Sequence, residues 1–152
     1  MVGRQDLGGT EMATVELSFT ALPAHVRTAR LVATAVARHS GVDESLLDEV
    51  RLAVGEACSR AVEGHQLYCP AEPVRLALTN LAGRFEVEVT DTCVPDARWP
   101  GGRDGHAGGA GLPAGLGIAV IESLADDVQI SETPAGTVIR MSWPSAGAAD
   151  RT

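Results

Sequence analysis

Aromatic side chains are nearly missing: the 152 residues include 2 Trp, 1 Tyr and 2 Phe. The core must therefore be built from Val, Leu, Ile and Ala, and an apolar content of 45% is enough for that without disulfides. Long apolar runs are missing too. None approaches the roughly 18–20 residues that a membrane helix needs, and the N-terminus, MVGRQDLGGTEM, has no signal-peptide core. The expectation is a cytoplasmic protein with no membrane partner. Basic charge is in short supply: 12 Lys and Arg stand against 20 Asp and Glu, a net charge of −8. That excludes a broad nucleic-acid-binding surface but not a local nucleotide site, which needs only local donors. Cysteine is scarce and odd in number. Cys58, Cys69 and Cys93 have unrelated spacings and read as reduced thiols rather than a disulfide framework.

What is present organises the chain as one domain. Residues 1–12 are polar and Gly-containing and are expected to be disordered. In ATVELSFT (13–20), Val15, Leu17 and Phe19 alternate with polar residues, which predicts a half-buried strand. Pro23 suits the first turn of a helix that runs to about His39 and ends at Gly41. Asp43 is a good N-cap for a second helix, expected to close at Gly64, with Leu46, Leu47, Val50, Ala53, Val54, Ala57 and Ala61 as its buried stripe. VRLALTN and RFEVEVTD flank Leu81-Ala82-Gly83 and predict a hairpin. A Gly- and Pro-rich loop follows over about 95–114, long enough to be functional. A helix resumes near Leu116, and a last hairpin turns at Pro134-Ala135-Gly136. Residues 145–152 read as a flexible tail. Hairpins with segregated helices predict an α+β two-layer sandwich.

Three segments point to one kind of chemistry. Glu56 and Arg60 lie one helical turn apart. Asp91 ends a strand just before the long loop. Gly115-Leu116-Gly117 opens a helix just after that loop, where backbone N–H groups attract phosphate and glycine permits close approach. Taken by spacing alone, Glu56 and Arg60 also fit a solvated i,i+4 pair. His65 and Cys69 have a metal-ligand spacing, but no second ligand pair accompanies them at suitable spacing.

LAVGEACSRAV, FEVEVTD, AGLGIAVIESLADDV and GTVIRMSW occur in an order that resembles the anti-sigma factor and serine-kinase switch proteins of bacteria. These RsbW-like proteins lie within the histidine-kinase-like (GHKL) ATPase superfamily. The resemblance spans about Val15 to Trp143. It implies a Bergerat-type fold over 13–144, with helices on one face of a mixed, mostly antiparallel sheet and a lid over about 95–114. It implies ATP as cofactor, with Glu56 as general base on a partner serine. Arg60, Asp91, Cys93, Gly115, Leu116 and Gly117 would line the nucleotide, and Arg30 would meet partner proteins. The implied partners are a sigma factor and an anti-anti-sigma antagonist, within transcription regulation in the stress response, with a homodimer possible.

Two departures bear on activity. Arg60 stands where the resemblance implies an Asn ligand for Mg²⁺, and an Arg has five donors and no acceptor. Both glycines expected after Asp91 are replaced, the chain reading Asp91-Thr92-Cys93-Val94-Pro95. The alternative is a non-catalytic binding module of the same fold that binds nucleotide weakly or not at all.

Overall fold

In a computed structural model, residues 2–6, 13–93, 114–134 and 136–146 are described. The predicted lid, at 95–114, lies outside the described residues except for Ala114, and so does the tail beyond 146. The elements are β1 (Val2–Asp6), β2 (Ala13–Phe19), α1 (Pro23–Ser40), a 3-10 turn (Glu44–Leu46), α2 (Leu47–Tyr68), β3 (Val74–Leu81), β4 (Arg84–Asp91), α3 (Ala114–Leu124), β5 (Asp127–Thr133) and β6 (Gly136–Pro144). The six strands form one sheet in the order β1-β2-β3-β4-β6-β5. The fold is the expected α+β arrangement of helices on a sheet.

Every described ladder is antiparallel, so the sheet is not mixed. Three of its pairs, β1–β2, β3–β4 and β5–β6, join strands consecutive in the chain. The β3–β4 hairpin turns at Ala82 and Gly83, with φ of 53° and 81°, which gives the backbone twist that a two-residue turn requires. Two helices return the chain between β2 and β3, and α3 with β5 reverses it before β6 pairs with β4. Residues 2–6 are a strand and not the disordered segment expected. Val2 pairs with Leu17 and Asp6 with Ala13, so the main chain of β2 supplies a template that needs no side-chain alternation in its partner.

α1 starts at Pro23, whose missing N–H falls where no helical bond is needed. It ends where Gly41 turns left-handed at φ 95°, its N–H bonding back to Ala37 and Arg38 carbonyls. Asp43 caps a 3-10 turn and accepts from the Ser45 N–H at 2.9 Å before α2 proper begins. α2 runs through Gly64 to Tyr68, beyond its expected end. Its buried stripe continues through Ala61, Val62, Gly64 and His65, so tertiary packing outweighs the weak helix propensity of glycine.

The core lies between this helical layer and one face of the sheet. Leu76, Leu78, Phe85, Val87, Val89 and Met141 face Ala33, Val50, Ala53, Val54 and Ala57, all essentially fully buried. Alternate strand residues form a polar outer face, where the Arg140 Nε donates to Glu88 at 2.9 Å. α3 packs across α2 through Ile121. Its end is tied to β6 by the Trp143 indole N–H, which donates to the Leu124 carbonyl at 3.1 Å.

The cysteines correct the sequence reading. Cys69 and Cys93 form a disulfide, with Cα atoms 5.9 Å apart, and only Cys58 is free. Spacing alone could not show this, because the fold brings the C-cap of α2 against the end of β4.

Candidate functional site

α2 is the spine of the site. By helix rise, Glu56, Arg60 and His65 are spread over roughly 13 Å of its length. At the first end, α3 comes in against Glu56 and Arg60. A Cβ placed on Gly117 would lie 2.8 Å from the Glu56 Oε2 and 3.3 Å from the Arg60 Cδ and Nη1. With glycine at this position, the start of α3 sits close to both side chains as they stand. Gly115 and Leu116 belong to the same first turn of α3, as helical backbone. Helical N–H groups, a glycine and a guanidinium therefore meet beside one carboxyl.

Glu56 is half-buried. Desolvation raises its pKa, and the opposing pull of the Arg60 charge does not overcome it, while Glu63 adds to the rise. An i,i+4 cation would by itself hold the carboxylate ionised and weak as a base, but burial decides the net direction. A raised carboxyl pKa moves toward the operating pH, which suits a general base. The Arg60 Nε is buried, so its guanidinium is part of the α2–α3 contact and not an extended surface group.

The other end of the spine holds Asp91. Its Oδ1 lies 3.0 Å from the His65 Nε2 and accepts from the Cys93 N–H at 2.8 Å. Sequence reading missed this role for His65, since no local pattern joins residues 26 apart. The His65 Nδ1 faces the Glu72 carbonyl at 2.8 Å and must donate to it. The Nε2 also lies 3.1 Å from the Thr92 N–H. It cannot both accept from Thr92 and donate to Asp91, so the proton decides its partner. The neutral ring accepts from Thr92; the imidazolium donates to Asp91. Burial, the largest single influence, lowers the His65 pKa, but hydrogen bonds to Asp91 and Glu72 and their charges together raise it. The site therefore favours the imidazolium more than water does.

The Asp91 main chain is equally confined. A Cβ on Gly136, where φ is 135°, would fall 1.8 Å from the Asp91 carbonyl oxygen. The register then sets Thr137 across from Asp91. That Gly-Thr pair is a second feature that motif reading quoted without assigning it a place in the site. Cys93, expected beside a nucleotide, is instead buried and bonded to Cys69.

Arg30 stands apart from these residues. Its stem crosses Gly55, where a Cβ would lie 2.6 Å from the Arg30 Cδ. It lines a groove of about 790 Å³ between α1 and α2, with Arg27, Ser59, Glu63 and Leu67. None of Glu56, Arg60 and Asp91 lines that groove. The structure thus divides the predicted residues into a line along α2 and a separate helix–helix groove.

The donor set fits an anion better than a divalent metal. Arg60 offers only N–H donors, which suit phosphate oxygens bidentately and cannot ligate Mg²⁺. The residues present do not fit a Mg²⁺ held at position 60.

Comparison with known proteins bears on the family and the fold. The family model described as the histidine kinase-like ATPase domain matches residues 19–143, most of the chain. No curated protein matches. Among solved structures, the chain is similar to the crystal structure of the RsbU and RsbW domains of Rv1364c from Mycobacterium tuberculosis, with a TM-score of 0.63 at 19% identity. The match covers 87% of this chain and 32% of that one, so this chain spans about a third of that protein's length, and at this identity the likeness is one of fold.

Proposed function

We propose that this chain, which belongs to the histidine kinase-like ATPase domain family, is an ATP-binding switch protein that sequesters a sigma factor and is countered by an anti-anti-sigma antagonist. The single observation that carries the nucleotide reading is the line of groups along α2. The Gly117 turn packs on Glu56 and Arg60 at one end, and Asp91 is held by His65 at the other. On this reading Asp91 accepts from the adenine amino group, while Arg60 and the first-turn amides of α3 hold phosphate. Glu56 would take the proton from a serine hydroxyl of the antagonist as that oxygen bonds to the terminal phosphorus, and the bond from that phosphorus to the bridging oxygen would break to release ADP. A serine needs such a base because its own pKa is far too high at neutral pH. The groove at Arg30 serves partner proteins. Support for the partner assignment comes from the sequence motifs and from the RsbW domain in the structurally similar protein.

Arg60 favours a second reading, a binding module that has lost phosphotransfer, because it removes a metal ligand. Calorimetry with ATP, with and without Mg²⁺, and transfer of labelled phosphate to a co-purified antagonist separate the two. Binding with little Mg²⁺ dependence is expected, since the Arg60 charge is permanent. Absence of ATP binding under both conditions would remove the nucleotide reading. Binding without transfer would leave the non-catalytic module. Recovery of neither a sigma factor nor a small antagonist with the folded protein would count against the switch.

A further inference from the structure

The Cys69–Cys93 bond has no part in the nucleotide reading, yet it lies next to the residue that reading needs most. Cys69 is the C-cap of α2. Cys93 follows Asp91 by two residues, and its own N–H holds the Asp91 Oδ1 at 2.8 Å. The same oxygen lies 3.0 Å from the His65 ring, which α2 carries one turn before Cys69. The bond therefore fastens together the two elements that between them aim one carboxylate.

We propose that the Cys69–Cys93 disulfide is a reversible redox modification site that sets the position of Asp91. Its control over ATP rests on the nucleotide reading above; its control over Asp91 does not. Access favours reversal at one sulfur. Cys69 is partly exposed while Cys93 is buried. The thiolate of an external dithiol attacks the Cys69 sulfur, and the Cys93 sulfur departs with the electron pair and takes up a proton. The second thiol of the reductant then closes its own disulfide and releases Cys69 as a thiol. Two electrons and two protons pass from the dithiol to the protein. The departing sulfur is well placed, because ligand atoms of His65, Cys69 and Cys93 lie within 4.8 Å of one another. When protonated, the His65 ring at that distance stabilises a leaving thiolate and speeds exchange. The three groups are also of the type that binds soft metals, but sulfurs bonded to each other offer no thiolate. Cys58 does not compete: burial pushes its thiol up to about 12.

The oxidised chain is the one with Asp91 held in place, and binding to a pre-set group avoids the cost of ordering it. The test compares the full chain treated with oxidised glutathione and with dithiothreitol, the thiol state being read by alkylation and mass. On reduction, the Thr92 and Cys93 amides are expected to exchange hydrogen about tenfold faster, and ATP to bind about tenfold more weakly. Cys69→Ser, which leaves Cys93 and Asp91 untouched, should match the reduced wild type in both buffers. Alkylation of both thiols after oxidation overturns the proposal, as does equal exchange at Thr92 and Cys93 in the two states. Faster exchange with no ATP binding in either state retains the switch and removes the nucleotide reading. Equal ATP affinity in two states that do bind it overturns control of the nucleotide site.

Discussion

Glu56 sits where two opposing influences meet, and their order decides what the side chain can do. Burial raises its pKa more than the Arg60 charge lowers it. Between the ordinary value of 4.5 and the higher folded value, the folded chain binds more protons than the unfolded one. Stability therefore falls as pH rises through that window, and the full penalty remains above it. Glu56→Gln is expected to raise the melting temperature at about pH 7 and to leave it little changed at about pH 4. The same variant should lower phosphate transfer by roughly 10²–10⁴-fold, the usual contribution of a general base. Calorimetric scans at the two pH values and a labelled-ATP assay check both halves. A lower melting temperature at neutral pH would show that Glu56 forms an ion pair that outweighs its burial.

The contact between α2 and α3 depends on one missing methyl. In Gly117→Ala the three atoms nearest the new Cβ all belong to the Glu56 and Arg60 side chains. Such side chains can swing aside, and alanine is the better helix former by about 1 kcal/mol. The expected outcome is a change in unfolding free energy within about 1 kcal/mol together with at least a tenfold loss of ATP affinity, since both displaced groups belong to the proposed site. Urea titration and calorimetry on one preparation decide it. Unchanged ATP affinity would place the nucleotide elsewhere. Elements set by local signals could be read from the sequence. Pro23 and Gly41 bound α1, and Ala82-Gly83 turns the β3–β4 hairpin. Elements set by distant partners could not. α2 continues past Gly64 because Gly64 and His65 are buried in the fold, and β1 exists because β2 offers an edge. The residues proposed for the nucleotide were named from the family resemblance, but the pairing of His65 with Asp91 and the Cys69–Cys93 bond needed the folded chain.

For the whole molecule, His65 is a rivet between layers. Its ring is fully buried on α2, yet both nitrogens are engaged by the loop and strand end beyond the helix. Its pKa is raised on folding, so its contribution is full below the ordinary value of 6.5 and is lost as pH rises through the folded value. Unfolding free energy in the wild type should therefore be lower at about pH 9 than at about pH 6, and His65→Gln should lessen that difference. An equal pH dependence in the variant would show that the ring is neutral and bonded to Thr92 throughout. The two layers are also joined at their far side, where Trp143 donates to the last carbonyl of α3. Only one other indole, Trp99, exists in the chain. With Trp99 replaced by Phe, the fluorescence of Trp143 is a built-in gauge of whether α3 is seated. Its emission should shift to longer wavelength if the helix lifts away and water reaches the ring, with no label attached.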